Sequence, residues 1–245
     1  MTQDVLAALA PRGVLRAGIN LGNFLLVNGR GPHGDPEGVA PGMARAIAHR
    51  LGVPLRCVPY PRPGDVADAV GTDAWDIALI GAEPQRAEHI AFTAAYAEIE
   101  STYMVPPGSP ITAIDQVDRP GVRIAVTARA AYDLWLERNI RQATLVRAEG
   151  LDGAAKLFAE QGLEALAGLR PRLIADAAAM PGARILDGQF TAVQQAVGMA
   201  RGHDAAARFL ADFVEEAKAS GLVASLIARH GVQGLSVAGP AERAA

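Results

Sequence analysis

The sequence is poor in cysteine and contains no long apolar run, and both scarcities exclude classes of protein. Cys57 is the one cysteine among 245 residues, which excludes a disulfide framework and a thiolate metal cluster. Its apolar surroundings predict a buried structural thiol. No segment approaches the ~18 consecutive apolar residues of a membrane-spanning helix. We therefore expect no membrane insertion.

The sequence also lacks an excess of positive charge. It has 23 basic and 26 acidic residues, so the net charge is −3. Lys156 and Lys218 are the only lysines. No basic surface is therefore predicted, and a nucleic-acid partner is not expected. The hydrophobic share of 50% is that of a globular protein, and the length allows one large domain or two small ones.

The first residues, MTQDVLAALAPRG, lack the basic segment, the apolar segment and the cleavage site of a signal peptide. We expect either a cytoplasmic protein or a chain that begins at the mature end of a secreted one. These residues leave both possibilities open.

Strand-like and helix-like segments alternate along most of the chain, which predicts an α/β fold with largely parallel sheets. Strands are predicted at 14–20, 54–60, 75–80, 122–126 and 143–148, and helices at 41–52, 64–74, 130–139, 151–162 and near the C-terminus. Extended segments near 100–108 and 191–200 separate two α/β units. This order predicts two lobes that are joined by two crossings.

Motifs for catalysis and cofactor binding are weak or missing. The segment GRGPHG (29–34) matches the dinucleotide-binding pattern, but it lies within a loop and contains a proline, so we interpret it as a turn. None of the five histidines has metal-ligand spacing, and there is no nucleophile elbow. We expect no cofactor, no metal and no catalytic residue.

Arg86 is the most informative charged residue, because it follows the apolar strand WDIALI and a short turn. One interpretation is a solvated arginine that pairs with Glu88 or Asp76. The other is a carboxylate clamp, since a guanidinium binds a carboxylate through two parallel hydrogen bonds and stays charged. A strand end in an α/β fold is also where ligands bind.

Five segments in the same order resemble the solute-binding proteins of family 3, the polar amino acid receptors of ABC transporters. These segments are VLRAGIN, GMARAIAHRLGVPL, WDIALIGAEPQRAEHIAFTAAY, RPGVRIAV and FLADFVEEAKASGLVASLIARHG. The resemblance covers nearly the whole chain.

The resemblance implies the type II periplasmic-binding-protein fold, with two α/β lobes and two crossover strands. Lobe one is expected at 1–104 plus 197–245, lobe two at 108–193, and the hinge near 104–108 and 193–197. It further implies a monomeric, periplasmic, non-catalytic protein that holds a small carboxylate ligand in an interlobe cleft and serves an ABC permease.

The resemblance also implies the ligand-binding residues. Arg86 matches the arginine that holds the ligand carboxylate in the family. The other implied residues are Gly81, Ala82, Asn20, Asn23, Phe24, Thr127, Arg129 and Gln195. Phe24 is expected either to stack on a flat ligand or to pack in the lobe core. Arg129 is expected either to point to the ligand or to be a surface residue of a helix's first turn.

The chain departs from the family where the ligand ammonium is bound. The family has an aspartate there, whereas this sequence has Gly168 and Leu169. Burying an ammonium without an anionic partner costs several kcal/mol. The departure therefore favours an organic acid, or an amino acid derivative without a free amine.

Three alternatives remain open. The first is an enzyme on the same fold, resembling cyclohexadienyl dehydratase, with Glu83 or Glu164 as the general acid. The second is a cytoplasmic ligand sensor. The third is a degenerate family member that binds a partner protein and no ligand.

Overall fold

The computed structural model describes residues 3–241, and the chain divides into two compact units. Unit 1 consists of Met1–Glu98 and Gln194–Ala245, and unit 2 consists of Ile99–Val193. The lobe and hinge boundaries expected from the sequence stay a prediction.

Unit 1 contains most of the helices. Its elements are α1 (Gln3–Leu9), β1 (Leu15–Asn20), β2 (Gly29–Arg30), β3 (Pro36–Glu37), α2 (Val39–Leu51), β4 (Leu55–Tyr60), α3 (Pro63–Asp68), β5 (Ile77–Gly81), α4 (Pro84–Ala87), the first part of β6 (Ile90–Val105), most of β11 (Thr191–Ala200), α8 (Asp204–Ala219), α9 (Leu222–Arg229) and β12 (Ser236–Val237).

The sheet of unit 1 has the strand order β4-β1-β5-β11. Strand β1 pairs in parallel with both β4 and β5, whereas β11 is antiparallel to β5. Strand β5 is buried along its whole length because it has a neighbour on each edge. Its side chains pack with Val66, Trp75 and Ile90, and the Trp75 indole donates a 3.0 Å hydrogen bond to the Val66 carbonyl.

Unit 2 is a smaller α/β unit. Its elements are the second part of β6, a 3-10 helix (Ile114–Gln116), β7 (Arg123–Thr127), α5 (Ala131–Asn139), β8 (Thr144–Ala148), α6 (Gly150–Glu160), β9 (Ala165–Leu169), α7 (Arg170–Ala178) and β10 (Arg184–Ile185). The strand order is β6-β9-β7-β8, and β7 is parallel to both β8 and β9. The core lies between this sheet and the helices α6 and α7, around Phe158, Leu166 and Leu173.

The predicted alternation of strands and helices is confirmed, with three differences in detail. Helix α3 ends at Asp68, because the following residues turn through Gly71 and Asp73, which both have positive φ. The extended segment predicted near 100–108 is the end of a longer strand of 16 residues, β6, which begins at Ile90. The loop that contains GRGPHG includes the short hairpin β2–β3.

The prediction that Cys57 is a buried thiol is wrong. Cys57 is partly exposed, because β4 is the last strand in the order and only β1 pairs with it among the described residues. The remaining burial raises the pKa of the thiol. Within residues 3–241 no helix is long and apolar enough to cross a membrane.

Candidate functional site

The candidate site of unit 1 lies at the carboxyl ends of its parallel strands. Asn20 ends β1 and Gly81 ends β5, and these two strands are parallel neighbours. Carboxyl ends of parallel strands lie at one edge of the sheet, where α/β folds bind ligands. The structure therefore brings Asn20, Gly81 and the following helix α4 together at this edge.

Arg86 is positioned by the turn that follows β5. Glu83 has extended backbone and Pro84 is the first helical residue, so the chain turns from the strand directly into α4. Backbone N–H groups of Arg86 and Ala87 both donate to the Glu83 carbonyl at 2.9 Å. The Arg86 side chain then reaches back, and its Nη1 donates a 2.7 Å hydrogen bond to the Gly81 carbonyl. Arg86 is only 7% exposed.

One interpretation of the sequence paired Arg86 with Asp76, but Asp76 pairs with Arg16 instead. Its carboxylate accepts hydrogen bonds from the Arg16 backbone N–H at 2.8 Å, from Nε at 3.1 Å and from Nη2 at 2.6 Å. Both side chains are buried, and this pairing raises the pKa of the Arg16 guanidinium. Asp76 precedes β5 and Arg86 follows it, so the strand separates the two charges.

Gln195 and Ala82 lie beside Gly81, whose carbonyl accepts the hydrogen bond from Arg86. Gln195 is buried and lies opposite Gly81 in the antiparallel pair of β11 and β5. The Ala82 N–H donates to the Gln194 carbonyl at 2.8 Å, so this N–H is already used within the sheet. A ligand contact of Ala82 would therefore come from its methyl group or carbonyl.

Asn20 and Asn23 stabilise the turn after β1 through their side-chain oxygens. The Asn20 Oδ1 accepts the Gly22 N–H at 3.0 Å, and the Asn23 Oδ1 accepts the Leu25 N–H at 3.1 Å. Both residues are buried, whereas Phe24, which follows Asn23, is 38% exposed. The oxygens are engaged locally, so each amide has its NH₂ donors for other partners, which suits a carboxylate. Phe24 does not belong to the buried core, so the core interpretation of its ring is wrong.

The candidate site of unit 2 is built in the same way. Thr127 ends β7 and Leu169 ends β9, and these strands are parallel neighbours. Thr127 is buried, and its hydroxyl donates to the Gly150 carbonyl at 3.2 Å. Helix α5 begins four residues after Thr127, and α7 begins directly after Leu169.

Arg129 lies before the helix rather than in its first turn, which corrects the surface-helix interpretation. Its φ of 60° is in the left-handed region, which costs a non-glycine residue about 1–2 kcal/mol. Its side chain is exposed. Its backbone N–H donates a 2.8 Å hydrogen bond to Asp133 Oδ2, which stabilises this conformation.

Asp133 is a residue of this loop that the sequence analysis missed. It is 1% exposed and also accepts hydrogen bonds from Arg147 Nε at 2.9 and 3.1 Å. Burial raises the pKa of its carboxyl, although the Arg129 N–H and Arg147 act in the opposite direction. An acidic residue in the first turn of a predicted helix is the sequence signal that could have identified it.

The two glutamates considered as general acids differ in their surroundings. Glu164 forms a two-pronged ion pair with Arg123, at 2.8 Å between Oε1 and Nη2 and 2.9 Å between Oε2 and Nε. This pair lowers the pKa of Glu164, so Glu164 is a poor proton donor and its proposed role is corrected. Glu83 is 7% exposed and precedes Arg86 by three residues.

Gly168 and Leu169 face opposite sides of β9. A Cβ on Gly168 would lie 3.1 Å from Leu173 Cδ2, so position 168 faces the buried core of unit 2. Since side chains alternate along a strand, Leu169 points to the other face. Of the two positions, 169 is therefore the one where an aspartate, as in the family, would point away from that core. Among the described residues, no group of three acidic, histidine or cysteine side chains could hold a metal ion.

A family comparison agrees with this arrangement. The model of the bacterial extracellular solute-binding proteins, family 3, matches residues 24–233, which is most of the chain. A comparison with curated proteins found no match.

Solved structures show a similar fold. An ancestral amino acid-binding protein, described as a precursor of cyclohexadienyl dehydratase, has 19% identity and a TM-score of 0.74, over 91% of this chain and 97% of that one. A lysine-complexed putative ABC transporter binding component from Wolinella succinogenes has 19% identity and a TM-score of 0.73, over 89% and 95%. An L-arginine-bound amino acid ABC transporter substrate-binding protein from Streptococcus pneumoniae has 18% identity and a TM-score of 0.73, over 96% and 100%. At identities this low, the structural similarity supports the fold alone. It confirms the predicted type II periplasmic-binding-protein fold.

Proposed function

The chain belongs to the bacterial extracellular solute-binding proteins of family 3, and from this membership we propose that it binds a small carboxylate-bearing solute. The solute would be released unchanged to the permease of an ABC transporter. The protein would act as a monomer in the periplasm.

The observation that carries this proposal is the buried guanidinium of Arg86 at the carboxyl edge of the sheet. A guanidinium in this position stays charged at any relevant pH and offers paired donors to a carboxylate. One of its nitrogens donates to the Gly81 carbonyl, which restrains the orientation of the group. The amides of Asn20 and Asn23 add donors at the same strand ends.

The absence of an acidic residue at positions 168 and 169 supports a ligand without a free ammonium group. Leu169 is buried and apolar at the end of β9, and a Cβ at position 168 would lie only 3.1 Å from Leu173 Cδ2. An organic acid or an N-acylated amino acid would avoid the cost of burying an unpaired ammonium. Glu83 is the main rival, because a buried carboxylate near Arg86 could bind an ammonium instead.

A ligand screen by thermal shift tests this proposal. The twenty amino acids, their N-acetyl derivatives and a set of small mono- and dicarboxylates are each added at the same concentration. We expect stabilisation by acids without an ammonium, because a ligand at about 1,000 times its Kd adds ~4 kcal/mol. A clear shift with a free amino acid, and none with its N-acetyl derivative, would contradict the ligand class. Stabilisation by no carboxylate of either kind would contradict the function.

A dehydratase acting on cyclohexadienyl acids is the second candidate, and the burial of Glu83 close to Arg86 favours it. A buried carboxyl group can act as a general acid when a substrate carboxylate is held beside it. Incubation with prephenate and with arogenate, followed by detection of the aromatic product, separates the candidates. Turnover that is lost in Glu83→Gln would establish the enzyme, whereas no turnover with either acid would exclude this reaction.

A further inference from the structure

Unit 2 contains a cavity at the end of its sheet opposite to the candidate site, which we call the rear cavity. Val122 and Glu164 line it, and they directly precede β7 and β9. Thr127 and Leu169 lie at the other ends of the same strands. Five residues of strand separate the two ends, which corresponds to roughly 16 Å. The rear cavity is therefore distinct from the proposed solute site.

The lining of the rear cavity is apolar with one positive side chain. Pro106, Pro110, Ile111 and Leu163 form apolar walls, and Arg119 contributes a guanidinium. Within residues 3–241 the Arg119 guanidinium forms no hydrogen bond and no ion pair. The second charged residue, Glu164, is neutralised by Arg123 in the ion pair described above. Arg119 is consequently the charged lining residue that remains without an ion pair.

Side-chain hydrogen bonds hold the walls of the rear cavity in place. Arg184 Nη2 donates to the carbonyls of Ser109 and Ile111 at 2.8 and 2.9 Å. Arg123 Nη2 donates to the Gly162 carbonyl at 2.8 Å. Gln116 Oε1 accepts the Thr112 N–H at 2.8 Å. The two segments that line the cavity, 106–122 and 162–164, are thus held by bonds that do not involve a ligand. Preformed cavities of this kind bind small molecules at low conformational cost.

We propose that the rear cavity is a second binding site, for a small apolar monocarboxylate whose carboxylate pairs with Arg119. Its volume of about 340 Å³ is at the lower end of the range for small-molecule sites, which limits the ligand to roughly ten non-hydrogen atoms. An aryl or cyclic alkyl group would lie against the proline walls. A dianion or a zwitterion would not suit a cavity with one unpaired charge and apolar walls.

Phenylacetate is the probe, and phenylacetamide is its neutral control of similar shape. Both are titrated into ¹⁵N-labelled protein and followed by NMR. We expect saturable shifts at amides of residues 109–122 and 162–164, with phenylacetate binding about fivefold tighter than phenylacetamide. Because Arg119 is exposed, the expected effect is that of a solvent-screened ion pair. The titration is repeated in Arg86→Ala, so that binding at the proposed solute site is not mistaken for binding here.

Two variants separate the charge of Arg119 from the shape of the cavity. Arg119→Gln is expected to weaken phenylacetate binding about fivefold, whereas Arg208→Gln, an exposed arginine of α8 in unit 1, leaves it unchanged. Pro110→Trp places a large ring on an exposed part of the wall and is expected to block both probes.

The proposal is overturned if neither probe saturates below about 10 mM, a concentration that corresponds to very weak affinity. It is equally overturned if the shifts lie outside the named amides, or if Arg119→Gln binds phenylacetate as well as Arg208→Gln. Loss of binding in Arg86→Ala would assign the probe to the solute site instead.

Discussion

At the residue scale, the proposed function depends most on Arg86. Its guanidinium is buried and oriented by the Gly81 carbonyl, in a position that follows directly from the turn after β5. A buried guanidinium can bind a carboxylate through paired hydrogen bonds. We propose that Arg86 binds the solute carboxylate in this way.

We predict that Arg86→Ala abolishes solute binding and leaves the protein folded. Removing one partner of a buried charge pair typically costs about 2–5 kcal/mol in binding. Calorimetry with the best ligand from the screen measures the loss, and circular dichroism checks the fold. Arg208→Ala serves as the matched control, since its side chain is exposed on α8. An affinity within about threefold of wild type in Arg86→Ala would contradict the clamp.

A second residue-scale prediction concerns ligand specificity at position 169. Leu169→Asp is expected to create binding of free amino acids, because a carboxylate at the end of β9 would pair with the ligand ammonium. Gly168→Asp is the control and is expected only to lower stability, since its Cβ would lie 3.1 Å from Leu173 Cδ2. Thermal shifts with the twenty amino acids measure both variants. A folded Leu169→Asp protein that responds to none of them would show that this position does not contact the solute.

At the element scale, the loop between β7 and α5 depends on a buried acid in the helix. Asp133 accepts the N–H of Arg129, whose backbone is left-handed, and two bonds from Arg147 on β8. One carboxylate therefore connects the loop, the helix and the neighbouring strand. The shape of the candidate site in unit 2 follows from this connection.

We predict that Asp133→Ala lowers the free energy of unfolding by about 1–3 kcal/mol, because the Arg129 N–H and the Arg147 guanidinium lose the buried carboxylate that accepts their hydrogen bonds. Glu137→Ala is the control, since Glu137 pairs with the same Arg147 at the surface and is expected to change stability by less than about 0.5 kcal/mol. Urea denaturation measures both. Equal effects of the two substitutions would mean that the burial of Asp133 contributes nothing to stability.

The ion pair between Arg123 and Glu164 joins the starts of β7 and β9 and predicts a pH effect. Arg123 lowers the pKa of Glu164 below its ordinary value of 4.5, so folding favours the ionised form. This contribution to stability is present above pH 4.5 and is lost as the pH falls through the lowered pKa. Solvent screening keeps this contribution small, because both side chains are partly exposed.

Glu164→Gln should therefore lose stability at pH 7 and decline less than wild type between pH 5 and 3. The midpoint of urea unfolding at several pH values measures this, with the surface substitution Glu160→Gln as the control. Parallel curves for Glu164→Gln and wild type would show that the pair does not affect acid stability.

At the scale of the whole molecule, family membership implies a conformational change on binding. The resemblance to the family predicts a hinge near 104–108 and 193–197. A ligand that contacts both lobes favours a closed form by its differential affinity for that form. We predict that a confirmed ligand reduces the radius of gyration in small-angle scattering.

Arg86→Ala with the same ligand is the control for this measurement and should show no change. The closure mechanism would be refuted if a tight ligand leaves the scattering unchanged and a crystal structure places all its contacts before residue 105.

The fold could be predicted largely from the sequence, because the information is local. Apolar segments such as 75–80 are long enough for one strand, and Gly52 in the left-handed conformation ends α2 where the pattern predicts it. The position of Arg86 at a strand end was also predictable, since it follows from the order of strand, turn and proline along the chain.

The partners of the charged residues could not be predicted, because strand register decides them. Arg16 pairs with Asp76, which is 60 residues away, and Arg123 pairs with Glu164, which is 41 residues away. The burial of Asp133 and the face of β9 on which position 168 lies depend in the same way on packing between distant segments. The sequence by itself therefore determined the elements and the candidate arginine. Only the tertiary structure decided which charges are neutralised internally, because that depends on distances that adjacent residues do not specify.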